Sequence, residues 1–159
     1  MSGIKTLDEI KIIRKHLQDQ NEKVVFTNGC FDLIHAGHID YLSRAKALGD
    51  VMIVGLNSDD SVQRNKGKKR PILKESERAF ILTNIEHVDY VVIFNQDTPE
   101  QLIAKLIPDI LVKGADWDIE DIVGKDIVLA NGGEVKSISF VNEQSTSKII
   151  NIILERYKD

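Results

Sequence analysis

Several things are missing from this chain, and each absence narrows what it can be. There is one cysteine, Cys30, so no intramolecular disulfide can form, and a reducing cytoplasm is the expected compartment. No N-terminal apolar run resembles a signal peptide, and no apolar stretch is long enough to span a bilayer. Neither sign of charge dominates: a net charge of −4 gives no global footprint for nucleic acid, so any polyanionic ligand must be met locally. There is no internal repeat, low-complexity segment or interdomain linker. What remains, 159 residues at 42% hydrophobic and 29% charged, reads as one domain with a full core.

The apolar spacing of Leu7, Ile10, Ile13 and Leu17 predicts a helix over 7–20. Short runs rich in β-branched residues predict five strands, near 23–27, 51–56, 89–94, 109–113 and 134–140. Helical patterns fall between them near 38–48, 75–85 and 98–107, the last opening on Thr98-Pro99. A short helix ends at Asn131-Gly132-Gly133, and a final one covers 146–157. Near-continuous apolar strands alternating with helices predict an α/β fold, an open, doubly wound parallel sheet. Ligands of such sheets bind beyond the carboxyl ends of the strands, where strand order reverses. The polar residues with chemical character do cluster just after predicted strands: Asn28 to His38, Asn57-Ser58-Asp59, Lys113 to Trp117, and Asn142 to Lys148.

The most informative stretch is Thr27-Asn28-Gly29-Cys30-Phe31-Asp32-Leu33-Ile34-His35-Ala36-Gly37-His38. Its two histidines sit where a strand hands over to a helix, beside free backbone N–H groups and the positive end of a helix dipole. That is an anion site, and two imidazoles there suit a phosphate that gains charge in a transition state. The spacing also allows metal ligation, with Asp32 or Asp40 as a third ligand, or plain surface histidines. Cys30 beside His35 reads as a small buried thiol rather than a nucleophile. Gln144-Ser145-Thr146-Ser147-Lys148 opens the last helix, and its hydroxyls could hold terminal phosphates or simply cap that helix. Gly114 would let a base or ribose approach the backbone closely. The one basic run, Lys66 to Pro71, is either a cover supplying charge to a phosphate or a solvated loop. Trp117 could pack beside a sugar or base, or could only close the core.

His35-Ala36-Gly37-His38 resembles the H-x-G-H signature of the nucleotidyltransferase superfamily, and Ser145-Thr146 resembles its second signature, in the right order. Five stretches narrow the likeness: Thr27 to His38, Gly55 to Asp59, Lys66-Gly67 with Arg70-Pro71-Ile72, Val112 to Asp116, and Gly132 to Val135. Together they resemble D-glycero-β-D-manno-heptose 1-phosphate adenylyltransferases, in their stand-alone form. The resemblance implies a Rossmann-like five-stranded sheet in the order 3-2-1-4-5. A core over 23–157 would follow an N-terminal helix over 1–22, all in a single domain.

It also implies transfer of AMP from ATP to a heptose 1-phosphate, with Mg²⁺ travelling on the nucleotide and no resident metal. His35 and His38 would be catalytic. Asn28, Gly29, Cys30, Phe31, Gly37, Lys113, Gly114 and Asp116 would belong to the nucleotide site. Ser145, Thr146 and Ser147 would hold the β- and γ-phosphates, with Lys66 and Arg78 adding positive charge. Asp32 and Phe31 would shape the turn. The partners implied are small molecules and further copies of the chain, a dimer or larger assembly, without nucleic acid or membrane. The ADP-heptose formed would serve lipopolysaccharide core or other surface glycans. The nearest alternative is a glycerol-3-phosphate cytidylyltransferase, but the two arginines of that group are absent around Phe140 and around Val88-Asp89-Tyr90. A nucleotide-sensing module without turnover is the alternative from outside enzymology.

Overall fold

Strand-forming and helix-forming segments alternate along the chain because their apolar residues do, at periods that suit one or the other. The computed structural model describes residues 3–115, 118–141 and 145–158. Its elements are β1 (Gly3–Ile4), α1 (Leu7–Asp19), β2 (Val24–Gly29), α2 (Ala36–Lys46), β3 (Val51–Asn57), α3 (Asp59–Lys66) and α4 (Glu75–Thr83). β4 (Tyr90–Phe94), α5 (Glu100–Leu106), β5 (Ile110–Gly114), α6 (Lys125–Ala130), β6 (Glu134–Ile138) and α7 (Thr146–Arg156) follow.

All strand pairings are parallel, and the order is β1-β4-β3-β2-β5-β6. The five anticipated strands keep their expected order, but the sheet has six. The extra strand is β1, which pairs Gly3 with Tyr90 and Ile4 with Val91 at the edge. Two residues are too few to show a period in sequence, so this strand is set by its neighbour rather than by its own pattern. Gly3 and Ile4 therefore belong to the sheet and are not merely a lead into a helix. A capping box between Thr6 and Glu9 then starts α1. Helix α3 also differs from expectation. It is polar nearly throughout, burying only Ser61 and Val62, and Ser58 caps it by accepting from Ser61 N–H. Helix α5 begins just after Pro99, which takes the cap position.

Both faces of the sheet are covered. Val24, Phe26, Ile53 and Leu111 point to one side and pack with Ile10 and Leu17 of α1 and Leu102, Ile103 and Leu106 of α5. Val25, Met52, Val54 and Val112 point to the other, against Tyr41, Leu42 and Ala45 of α2 and Ala79 and Leu82 of α4. Strand order reverses between β2 and β5. From β2 the chain winds outward through β3 and β4, then returns to add β5 and β6 on the other side.

Candidate active site

A cleft of about 850 Å³ opens at the carboxyl ends of the central strands. Asn28, Gly29, Cys30, Phe31 and Asp32 from the end of β2 line it, with His35, His38 and Tyr41. Asn57, Asn65, Lys66 and Arg70 lie on the β3 side, and Lys113, Gly114, Phe140, Ser145 and Thr146 on the β5 side.

Local geometry explains the turn after β2. Phe31 takes a left-handed conformation (φ 44°), folding its ring back over Gly29, where a Cβ would sit 3.0 Å from the ring. The ring then meets His38 at a tilted 5.3 Å, and the His38 ring stacks on His35 with centroids 3.9 Å apart. Nδ1 of both histidines and Oδ1 of Asn28 are buried and hydrogen-bond to no described residue. Burial, helped by the neighbouring His35, pushes the His38 pKa down to about 4, and burial lowers that of His35 as well. Both rings are therefore neutral at pH 7, and Nδ1 of each has no hydrogen-bond partner among the described residues.

His35 is the N-cap residue of α2, yet its side chain makes no capping bond. Ser145 takes the same position in α7 and does cap it, accepting from Lys148 N–H at 3.1 Å. Thr146 lies beside it, its hydroxyl 3.4 Å from the Leu33 carbonyl. Among the described residues, α1, α3, α4, α5 and α6 each carry an acidic residue in the first turn, whereas α2 and α7 carry none. A carboxylate there would stabilise the helix dipole and repel an anion. Its absence from the two helices that open onto the cleft leaves their positive ends available to phosphate.

The basic run is tied down at Arg70, while Lys66, Lys68 and Lys69 are exposed. The Asp32 carboxylate, fully buried, accepts from Arg70 Nε at 2.6 Å, from Ile72 N–H at 2.8 Å and from Leu73 N–H at 3.0 Å. Burial alone would raise its pKa, but the Leu73 and Ile72 amides and the Arg70 guanidinium together hold it below the usual carboxylate value. Lys66 remains exposed at the cleft. Cys30 faces the cleft too, its thiol pKa raised by burial despite the cations of Lys66, Arg78 and Arg70, which leaves it a poor nucleophile.

Arg78 requires a correction. Its guanidinium is fully buried and does not line the cleft. It donates to Leu73 O at 3.0 Å, Cys30 O at 2.6 Å and Asp59 Oδ1 at 2.8 Å. It braces three segments from behind, with each of its three nitrogens engaged. Ser147 is exposed and Gly37 buried, and neither lines the cleft. Asp116, Trp117 and Gln144 lie outside the described residues. The metal reading loses its third ligand, since Asp40 is engaged by Arg44 and Asp32 by Arg70. The sequence gives no sign that Tyr41 of α2, Asn65 of α3 or the loop residues Asp97, Ile122 and Val123 line the cleft, because tertiary placement alone brings them there.

The family model for cytidylyltransferase-like proteins matches residues 26–152, which take in every element from β2 to most of α7. The chain belongs to the cytidylyltransferase-like family. It is 54% identical over 158 residues to the bifunctional protein HldE of Citrifermentans bemidjiense, and 47% identical over 155 residues to that of Shewanella amazonensis. These alignments cover 98% of this chain but 32% and 33% of the relatives, so the chain spans about a third of their length. Among solved structures, a lipopolysaccharide core biosynthesis protein from Thermoplasma volcanium matches with TM-score 0.63 at 29% identity, over 77% of this chain and 99% of that one. Pantoate-β-alanine ligase from Francisella tularensis shares the fold, with TM-score 0.64 at 16% identity over 100% of this chain and 79% of that one.

Proposed function

We propose that this chain transfers AMP from ATP to D-glycero-β-D-manno-heptose 1-phosphate, releasing pyrophosphate and forming ADP-heptose for lipopolysaccharide core or surface glycans. The observation that carries the reading is the stacked pair His35 and His38, set between two helix N-termini that lack acidic residues. The heptose acceptor rests on sequence likeness over nearly the whole chain to the bifunctional HldE proteins.

An oxygen of the sugar's phosphate attacks the α-phosphorus of ATP in line. The bond from that phosphorus to the bridging oxygen breaks, and its electron pair leaves with pyrophosphate. His35 and His38 stabilise charge at the α-phosphorus, while Thr146 and the α7 N-terminus hold the terminal phosphates. Lys113, Gly114, Asn28 and Gly29 complete the nucleotide side. Catalysis here is positioning and electrostatics, with no covalent enzyme intermediate.

The described residues do not form a cage for Mg²⁺. Asp32 is saturated by Arg70 and two amides, and Asp97 pairs with Arg64. Mg²⁺ would instead arrive with ATP and would offset the charge of its phosphates. The proposal also places the chain in the cytoplasm, where its substrates are, and includes self-association into a homodimer or larger assembly. No described helix is long and apolar enough to cross a membrane.

Pyrophosphate release across a panel of nucleoside triphosphates and phosphate acceptors tests the reading. Phe140, at the cleft and stacked on Tyr41 at 5.3 Å, offers cytosine no hydrogen bond. Each buried hydrogen bond left unmade costs roughly 1–3 kcal/mol. ATP is therefore expected to exceed CTP by at least several-fold in kcat/KM with the heptose acceptor. Equal use of CTP, or turnover of glycerol 3-phosphate in place of heptose 1-phosphate, would reassign the activity.

A further inference from the structure

Two polyanions must meet in this cleft, and they repel each other. A triphosphate at the reversal between β2 and β5 has Lys113, Ser145 and Thr146 beside it. The acceptor's phosphate needs its own cation on the opposite side, within reach of the α-phosphorus. Arg70 is the candidate. It sits on the connection from β3 to β4, which crosses back to the end of β2, and its side chain is only 16% exposed. Its Nε is held by Asp32 at 2.6 Å, while its two terminal nitrogens hydrogen-bond to no described residue and the side chain lines the cleft. A guanidinium fixed along one edge, with the other edge open to the cleft, is preorganised to grip a phosphate bidentately. Asp32 cannot move to follow a ligand, because the backbone N–H groups of Ile72 and Leu73 lock its carboxylate.

We propose that Arg70 binds the phosphate of the acceptor, a sugar 1-phosphate, and that Asp32 is its positioning residue. The inference rests on the adenylyltransferase reading above and assigns the β3 side of the cleft to the acceptor and the β5 side to ATP.

Steady-state kinetics with each substrate varied in turn test it, after circular dichroism confirms that the variants fold. Arg70→Gln should raise the KM for heptose 1-phosphate by about tenfold or more, with the KM for ATP changed less than about twofold. Arg70→Lys keeps a cation beside Asp32 and should recover part of that loss; Asp32→Asn should raise the acceptor KM with Arg70 still present. A role in folding alone would instead shift both KM values together. An unchanged acceptor KM, or an equal rise for ATP, in folded variants overturns the assignment. If the wild type releases no pyrophosphate with heptose 1-phosphate, the activity reading is what fails. Arg70 is then judged by calorimetric titration of inorganic phosphate into protein saturated with a non-hydrolysable ATP analogue. Weaker phosphate binding in Arg70→Gln upholds an acceptor-side anion site, and unchanged binding overturns it.

Discussion

Below its ordinary value of 6.5, the His38 pKa of about 4 fixes what protons do when the nucleotide arrives. A phosphate beside the ring favours the imidazolium, so the bound-state value rises. Between about 4 and that raised value, ATP binding must take up protons, and ATP affinity should strengthen as pH falls from 7 towards 5. Calorimetry in buffers of different ionisation enthalpy would read the uptake directly. Without ligand the sign reverses for stability. The unfolded chain protonates this histidine near 6.5 and the folded one only near 4, so stability is complete above 6.5 and is lost as pH falls towards 4. His38→Ala should flatten that loss, abolish most of the proton uptake and lower kcat by about 10²-fold, as removal of an oxyanion-hole donor does. Arg78 makes the opposite forecast. Arg78→Met leaves two carbonyls and Asp59 without their donor, and urea unfolding should show a loss of roughly 3 kcal/mol. The ratio of ATP to AMP affinity should stay unchanged in that variant. An arginine on a helix after a basic loop looks the same in sequence whether it faces solvent or core. The Asp32–Arg70 pair was equally hidden, its members standing 38 positions apart.

Helices α2 and α7 have their positive ends left uncompensated, and this can be tested by supplying the missing charge. Ala36 is exposed at the first position of α2. Ala36→Asp should stabilise the protein by about 0.3–1 kcal/mol through the helix dipole while weakening ATP binding several-fold, since the same carboxylate repels phosphate. A thermal melt and an ATP titration on one variant give the two opposite signs. Elements with strong apolar periods were legible: β2, β3 and β5 fall within two residues of their expected bounds, and α1 within one. Helix α3 was not, because it buries too little to carry a stripe and is held by the Ser58 cap and by Arg64, which donates to Asp97. The histidine turn was readable because local sequence builds it. The cleft's far wall at Ile122 and Val123 depends on tertiary placement and left no local trace.

At the scale of the molecule, α7 stands apart from the rest. It buries no residue, and Ile153 (48%) and Leu154 (61%) along it, with Tyr157 (83%) at its C-cap, are exposed. An apolar helix face of this kind supports the proposed self-association. Sedimentation equilibrium should find an assembly larger than a monomer, and Leu154→Glu should shift it towards the monomer.

The two-residue strand β1 has a consequence at the opposite margin. Gly3 N–H donates to Asp89 O and Lys5 N–H to Val91 O, which occupies the hydrogen-bonding groups that β4 would otherwise present to solvent. Without residues 3–5, β4 would become an open template for another chain's strand. Deleting residues 3–5 should therefore speed aggregation on storage, followed by light scattering, while leaving kcat/KM unchanged.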